Sequence, residues 1–188
     1  MADFGRNFID LFGNQAVKDL TAEVNRRLKA CDPDTAVGEV LYGHTFANPK
    51  ACFDKTGSAW VSHAGIGEFG DVHQLCFKSD TDIPEKLENH IVWFYSKIDP
   101  NVVLRNTYDT EEGELVGVRF KIVRDGSIFT FQRQLVIHDS VVTEIDENSD
   151  DAQITWEEVW ALQEDIGKEA RKSLVTEYPF TEKLVPHL

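Results

Sequence analysis

The sequence predicts an α+β fold built on an antiparallel meander. Three observations predict it. Four strand-like segments follow one another between Asn101 and Asp146, an Asp125-Gly126 pair joins two of them, and the flanking stretches carry apolar residues at helical spacing. A chain of 188 residues, 41% hydrophobic and 28% charged, suits one globular domain, long enough to bury a core of its own. That domain, residues 1 to 188, divides into a core over about residues 15 to 148 and an appended C-terminal helix and tail over about residues 154 to 188.

The first helical pattern runs from Gln15 to Ala30, with Val17, Leu20, Val24 and Leu28 on one face and a Glu23/Arg27 pair on the other. Asp32-Pro33-Asp34 stops it and starts a shorter helix capped by Asp34, with Val37, Val40 and Leu41 as its apolar set. Gly43 to Ser58, rich in Gly, Pro, Asn and Lys, reads as loop, and Ser58 to Ala64 and Asp71 to Lys78 read as strands separated by Gly65, Gly67 and Gly70. The third helix has the clearest signals. Asp82 and Glu85 form a capping box, Pro84 sits in the first turn, Leu87, Ile91, Phe94 and Ile98 form the stripe, and Asp99-Pro100 ends it.

Within the meander the strands are Asn101 to Tyr108, Glu114 to Val123, Ile128 to His138 and Ser140 to Asp146. Asp125-Gly126 favours a tight hairpin because both residues tolerate positive φ. Val116, Val118, Phe120 and Ile122 alternate with Leu115, Gly117, Arg119 and Lys121, so the first set reads as the buried face and the second as the wet one. Phe129, Phe131, Leu135 and Ile137 alternate with polar residues in the same way. The last helix runs from about Trp156 to Ser173. Thr155 and Glu158 form its capping box, Ile154 and Val159 its staple, and Val159, Leu162, Ile166 and Ala170 its inward stripe. Val175 to Leu188 reads as a tail that wraps the surface or a partner.

Charge and motifs narrow the function. Asp and Glu number 33 against 19 Lys and Arg, a formal charge of -14, which argues against nucleic acid and anionic membrane surfaces as partners. The N-terminal apolar residues are broken by Asp3, Arg6 and Asp10, unlike a secretory signal, and Cys31, Cys52 and Cys76 have no C-x-x-C spacing. These features point to a cytoplasmic protein with reduced thiols. Gly65, Gly67 and Gly70 match a dinucleotide pattern by letter, but no helical pattern follows them, and Asp146 to Glu157 lacks the glycine of a calcium loop. No cofactor and no metal ligand set is expected.

Two residues stand out as candidate catalytic groups. Arg133 is in phase with Phe129, Phe131, Leu135 and Ile137, where a guanidinium needs an ion-pair partner or an anionic ligand, unless a bulge turns it outward. His63 sits in the first predicted strand with Asp71 and His73 as possible neighbours; it reads either as a general acid or base or as a hydrogen-bonded structural histidine. Trp60, Trp93, Tyr95, Tyr108, Phe129 and Phe131 are candidate pocket-lining aromatics, with Phe94 in the core stripe between Trp93 and Tyr95.

The order of elements, with Ala59 to Phe69, Leu87 to Tyr95 and Leu135 to Glu144, resembles the SnoaL-like and nuclear transport factor 2-like group over roughly residues 15 to 148. Where that group has Asp-Gly at its closing turn this chain has Asp139-Ser140, and the last helix and tail have no counterpart in its minimal fold. The resemblance implies a curved sheet wrapped over helices as a cone-shaped half-barrel, an apolar pocket for a small ligand, and a homodimer. It leaves two functional expectations: an acid/base cyclase, isomerase or dehydratase, or a non-catalytic module that binds a small apolar ligand or a protein.

Overall fold

The computed structural model describes residues 4–64, 74–80, 84–110, 115–137 and 156–186. In chain order the elements are β1 Phe4–Phe12, α1 Gln15–Ala30, α2 Pro33–Val37 with a π-turn over Gly38–Tyr42, α3 Pro49–Thr56, β2 Val61–His63, β3 Gln74–Asp80, α4 Glu85–Ser96, β4 Val103–Thr110, β5 Leu115–Arg124, β6 Ser127–Val136 and α5 Trp156–Glu177, followed by a 3-10 turn, Pro179–Lys183. The strands form one curved, open antiparallel sheet in the order β2-β3-β1-β4-β5-β6. The α+β class and the appended C-terminal helix are thus as the sequence implies.

The centre of the sheet is a strand that hydrophobic patterning leaves unassigned. β1 pairs with β3 on one side and with β4 on the other. Its alternation places Asn7, Ile9 and Leu11 on the inner face, all buried, and Arg6, Phe8, Asp10 and Phe12 on the outer. The charged residues that break its apolar pattern are matched across the sheet: Arg6 Nε donates to Asp109 Oδ1 at 2.6 Å, and Arg105 donates to Asp10 Oδ2 at 2.7 and 2.9 Å.

Both faces of the sheet are covered. On the inner face Ile9, Leu75, Phe77 and Leu104 meet Val17, Val24 and Leu28 of α1 and Leu87, Ile91 and Tyr95 of α4. On the outer face Val103, Val118, Phe120 and Ile122 meet Ala170 and Leu174 of α5 and Val185 of the tail, whose carbonyl accepts from Arg171. β5 is therefore buried on both sides, and the expectation of one wet face is corrected. Its Arg119 and Lys121 lie inside because α4 presents carboxylates to them.

Three local expectations change as well. The 43–58 stretch contains α3, capped by Asn48 accepting from Ala51 N, with Pro49 in its first turn and Gly57 at φ 86° ending it. The second helix is capped by Asp32, whose side chain accepts from Asp34 N, so Asp34 is freed for another use. In α4 the buried stripe is Leu87, Glu88, Ile91, Val92 and Tyr95, while Phe94 and Ile98 are exposed. The β5–β6 hairpin turns on Asp125 and Gly126 at φ 49° and 73°. The Ser140–Asp146 strand, the acidic loop after it, and Asp71, His73, Asp82 and Thr155 lie outside the described residues.

Candidate functional site

A buried polar network joins β1, β3, β4, β5 and β6 to α4. Glu88, fully buried, accepts from Asn106 Nδ2 at 2.7 Å and from Arg119 Nη1 at 2.9 and 3.1 Å. Lys121, also fully buried, donates to Asn89 Oδ1 at 2.6 Å and Glu85 Oε1 at 3.1 Å and lies 3.4 Å from Glu88 Oε2. Asn106 Nδ2 also reaches Asn7 Oδ1 at 3.1 Å, and Asn7 Nδ2 donates to Ser79 Oγ at 3.0 Å. Arg119 Nε donates to Gln132 Oε1 at 2.9 Å, and Gln132 Nε2 donates to Tyr108 OH at 3.0 Å.

The charges in this network answer one another. Burial lowers the Arg119 pKa, but the Glu88 carboxylate outweighs it, and the net direction is up. The hydrogen bond from Lys121 is the main cause holding Glu85 below its ordinary value. Burial raises the Tyr108 pKa, and its hydroxyl is tied to Gln132 and Gln134. Cations and carboxylates that satisfy each other fix α4 to the sheet; they do not present a free acid, base or electrophile to a ligand.

The candidate residues scatter across the fold. Arg133 keeps its phase with Phe129 and Phe131, but that face is the one α5 covers; the guanidinium emerges to solvent, donating to Gln132 O and Ser173 Oγ at 2.9 and 3.4 Å. Phe129 and Phe131 pack on Tyr178 of the tail, with ring centroids 5.8 and 5.9 Å away. Tyr95 is core, its pKa pushed up to about 12 by burial, and Tyr108 lies within the network. Trp93 is exposed on α4 beside Lys86 and Asn89. His63 is buried on the inner face of β2, its Nε2 without a hydrogen-bond partner among the described residues, and burial, then Lys29, lowers its pKa. Among the described residues no group of three or more His, Cys, Asp or Glu could hold a metal ion. No helix of the described residues is long and apolar enough to cross a membrane.

Two of the candidate aromatics border space for a small molecule: Trp93 lines an open groove of about 500 Å³, and Trp60 lines a more enclosed cleft. This cleft of about 370 Å³ opens between α2, α3 and β2. Its lining includes the aromatic rings of Trp60 and Phe46 together with Cys52 and Val61. Local bonding fixes both aromatic residues. Ser58 Oγ donates to Trp60 O at 2.8 Å and Asp80 N donates to the same carbonyl at 3.3 Å, while Thr56 Oγ1 donates to Ser58 O at 3.0 Å. Phe46 meets Tyr42 and His44 edge-to-face at 5.4 and 5.9 Å. Polar groups sit at the rim: Asp34 in the first turn of α2, Asn48 at the start of α3, and Ser62 on β2.

Of the residues that line this cleft, Trp60 is among the sequence candidates and Asp34 and Phe46 are not. Phe46 lies in a stretch without periodicity, and Asp34 had been given to a cap that Asp32 provides. The Asp-Pro-Asp spacing carried the available signal, since a cap needs one carboxylate and the second is left over. Compared with protein-family models, with curated proteins and with solved structures, the chain matches none.

Proposed function

We propose that this chain is a small-molecule-binding protein without catalytic chemistry of its own, its ligand seated in the cleft between α2, α3 and β2. The reading takes the second of the two expectations that the SnoaL-like resemblance raised. The observation that carries it is the state of the inner face. The space such folds keep for a reacting ligand is occupied here by Phe77, Leu75, Leu87 and Tyr95, and the charged groups beside them, Glu88, Arg119 and Lys121, are paired with one another. The Trp60 cleft, at about 370 Å³, falls within the range of about 300 to 1,000 Å³ typical of ligand pockets.

A smaller cavity between α1, the π-turn and α4 is less suited to the role. Its volume of about 100 Å³, lined by Leu20, Val24, Ile91 and Phe94, suits at most a single apolar group.

The test is a fragment screen read by amide and indole chemical shifts. Binding fragments are expected to move Trp60, Ser62 and Phe46 together, and Trp60→Leu is expected to abolish those shifts while leaving the rest of the spectrum intact. Shifts that concentrate on Gln132, Tyr108 and Asn89 instead overturn the reading in favour of a site on the inner face.

A further inference from the structure

We infer that the cleft selects an organic cation, an ammonium group carried on a small apolar body. The inference rests on the small-molecule reading above and adds the class of ligand. Asp34, Phe46 and Trp60 border the same cleft. The Asp34 carboxylate makes no hydrogen bond or ion pair with any described residue, although its backbone N–H is held at 3.0 Å by Asp32 Oδ1. The other rim acceptor, Asn48 Oδ1, is engaged by Ala51 N at 2.9 Å. Among the described residues no Lys, Arg or His lines the cleft.

A ligand that fills this cleft covers Asp34. Covering a carboxylate without supplying a counter-charge or donors leaves it desolvated and unpaired, which is unfavourable for a neutral body and worse for an anion. A cation reverses the sign. It can pair with the Asp34 carboxylate and interact with the two aromatic rings that line the same cleft, and methyl substituents on an ammonium suit the apolar Cys52 and Val61 beside them. The net charge of -14 raises the local concentration of cations around the whole chain.

The groove on the neighbouring flank offers a different chemistry. It is lined by Lys55, Lys86 and His90 as well as Asp54 and Trp93, so cations there face competing basic side chains that the described lining of the Asp34 cleft lacks.

Three probes of one shape separate charge from fit: choline, its uncharged carbon analogue 3,3-dimethylbutan-1-ol, and 3,3-dimethylbutanoate. Each is titrated into the full chain at constant ionic strength while the Trp60 indole signal, assigned by its loss in Trp60→Leu, is followed. Choline is expected to bind on the order of tenfold more tightly than the alcohol, and butanoate more weakly still. In Asp34→Asn, with its fold checked by circular dichroism, choline is expected to fall to the level of the alcohol. Equal binding of choline and the alcohol at Trp60 overturns the cation inference and leaves the cleft reading standing. Failure of every probe to move Trp60 overturns the inference, and if the fragment screen also avoids the cleft the reading falls with it. Choline binding that survives Asp34→Asn undiminished removes the carboxylate's part and overturns the assignment.

Discussion

Removing one carboxylate from beneath α4 tests the account of the buried network most directly. Glu88 is fully buried, as is Lys121, and Arg119 is 6% exposed. Glu88→Leu deletes the acceptor of two Arg119 hydrogen bonds and one from Asn106, together with the buried counter-charge 3.4 Å from Lys121. Arg119 keeps Gln132 and the Tyr108 ring, and Lys121 keeps Asn89 and Glu85, the latter with a side chain 57% exposed. A buried ion pair stripped of one partner costs about 3–5 kcal/mol, because the remaining charge stays desolvated. For a domain of this size each kcal/mol moves the melting temperature by about 2–4 °C, so the variant is expected to melt about 6–20 °C lower. The assay is thermal and urea denaturation followed by circular dichroism, with an unchanged m-value confirming that the native state is the one affected. The decisive variant is the set Glu88→Leu, Arg119→Met and Lys121→Met. Replacing the whole group by apolar side chains of similar volume is expected to recover most of the loss, since the desolvation cost disappears with the charges. A single variant that loses less than about 1 kcal/mol, or a triple variant that loses the sum of three independent changes, refutes the reasoning.

Three further outcomes follow from other parts of the fold. A Cβ on Gly117 would lie 2.3 Å from Tyr108 Cζ, so Gly117→Ala is expected to displace the ring and cost about 1–3 kcal/mol, and Tyr108→Leu in the same chain to relieve part of that loss in a thermal melt. His63 is buried with its pKa below the ordinary 6.5, chiefly by desolvation. In the window between that value and the depressed one the unfolded chain binds the proton and the folded chain does not, so stability is complete above the window and falls as pH drops through it. His63→Gln is expected to flatten that part of the urea-midpoint profile, and an unchanged profile counts against the assignment. Deleting residues 1–12 removes the strand that joins β3 to β4. The shortened chain is expected to show no cooperative thermal transition, and a native-like melt contradicts the central place of β1.

How much could be read from the sequence depended on how many partners each element needs. α1 and the β5–β6 hairpin are specified locally, by one apolar stripe and by Asp125-Gly126, and both form where the pattern puts them. β1 is not specified locally. Its Arg6 and Asp10 look like interruptions until Asp109 and Arg105, about a hundred residues away, are known to lie beside them. The same dependence hid the burial of the second face of β5. Arg119 and Lys121 look wet when the strand is read alone and become interior once Glu85, Glu88 and Asn89 face them from α4. One clue was present in each helix and strand separately. Glu88 falls in phase with Leu87, Ile91 and Tyr95, and two cations stand two apart on a strand otherwise rich in Val and Ile. A carboxylate on a buried stripe and a pair of cations on a buried strand each make a costly surface, and only their contact makes either tolerable. Arg133 shows the complementary error. Its phase among phenylalanines was read correctly, yet it emerges to solvent from the outer face that α5 covers. An in-phase charge on a single strand therefore marks an interior only when a second element supplies the opposite charge in phase. Arg119 meets that condition and Arg133 does not.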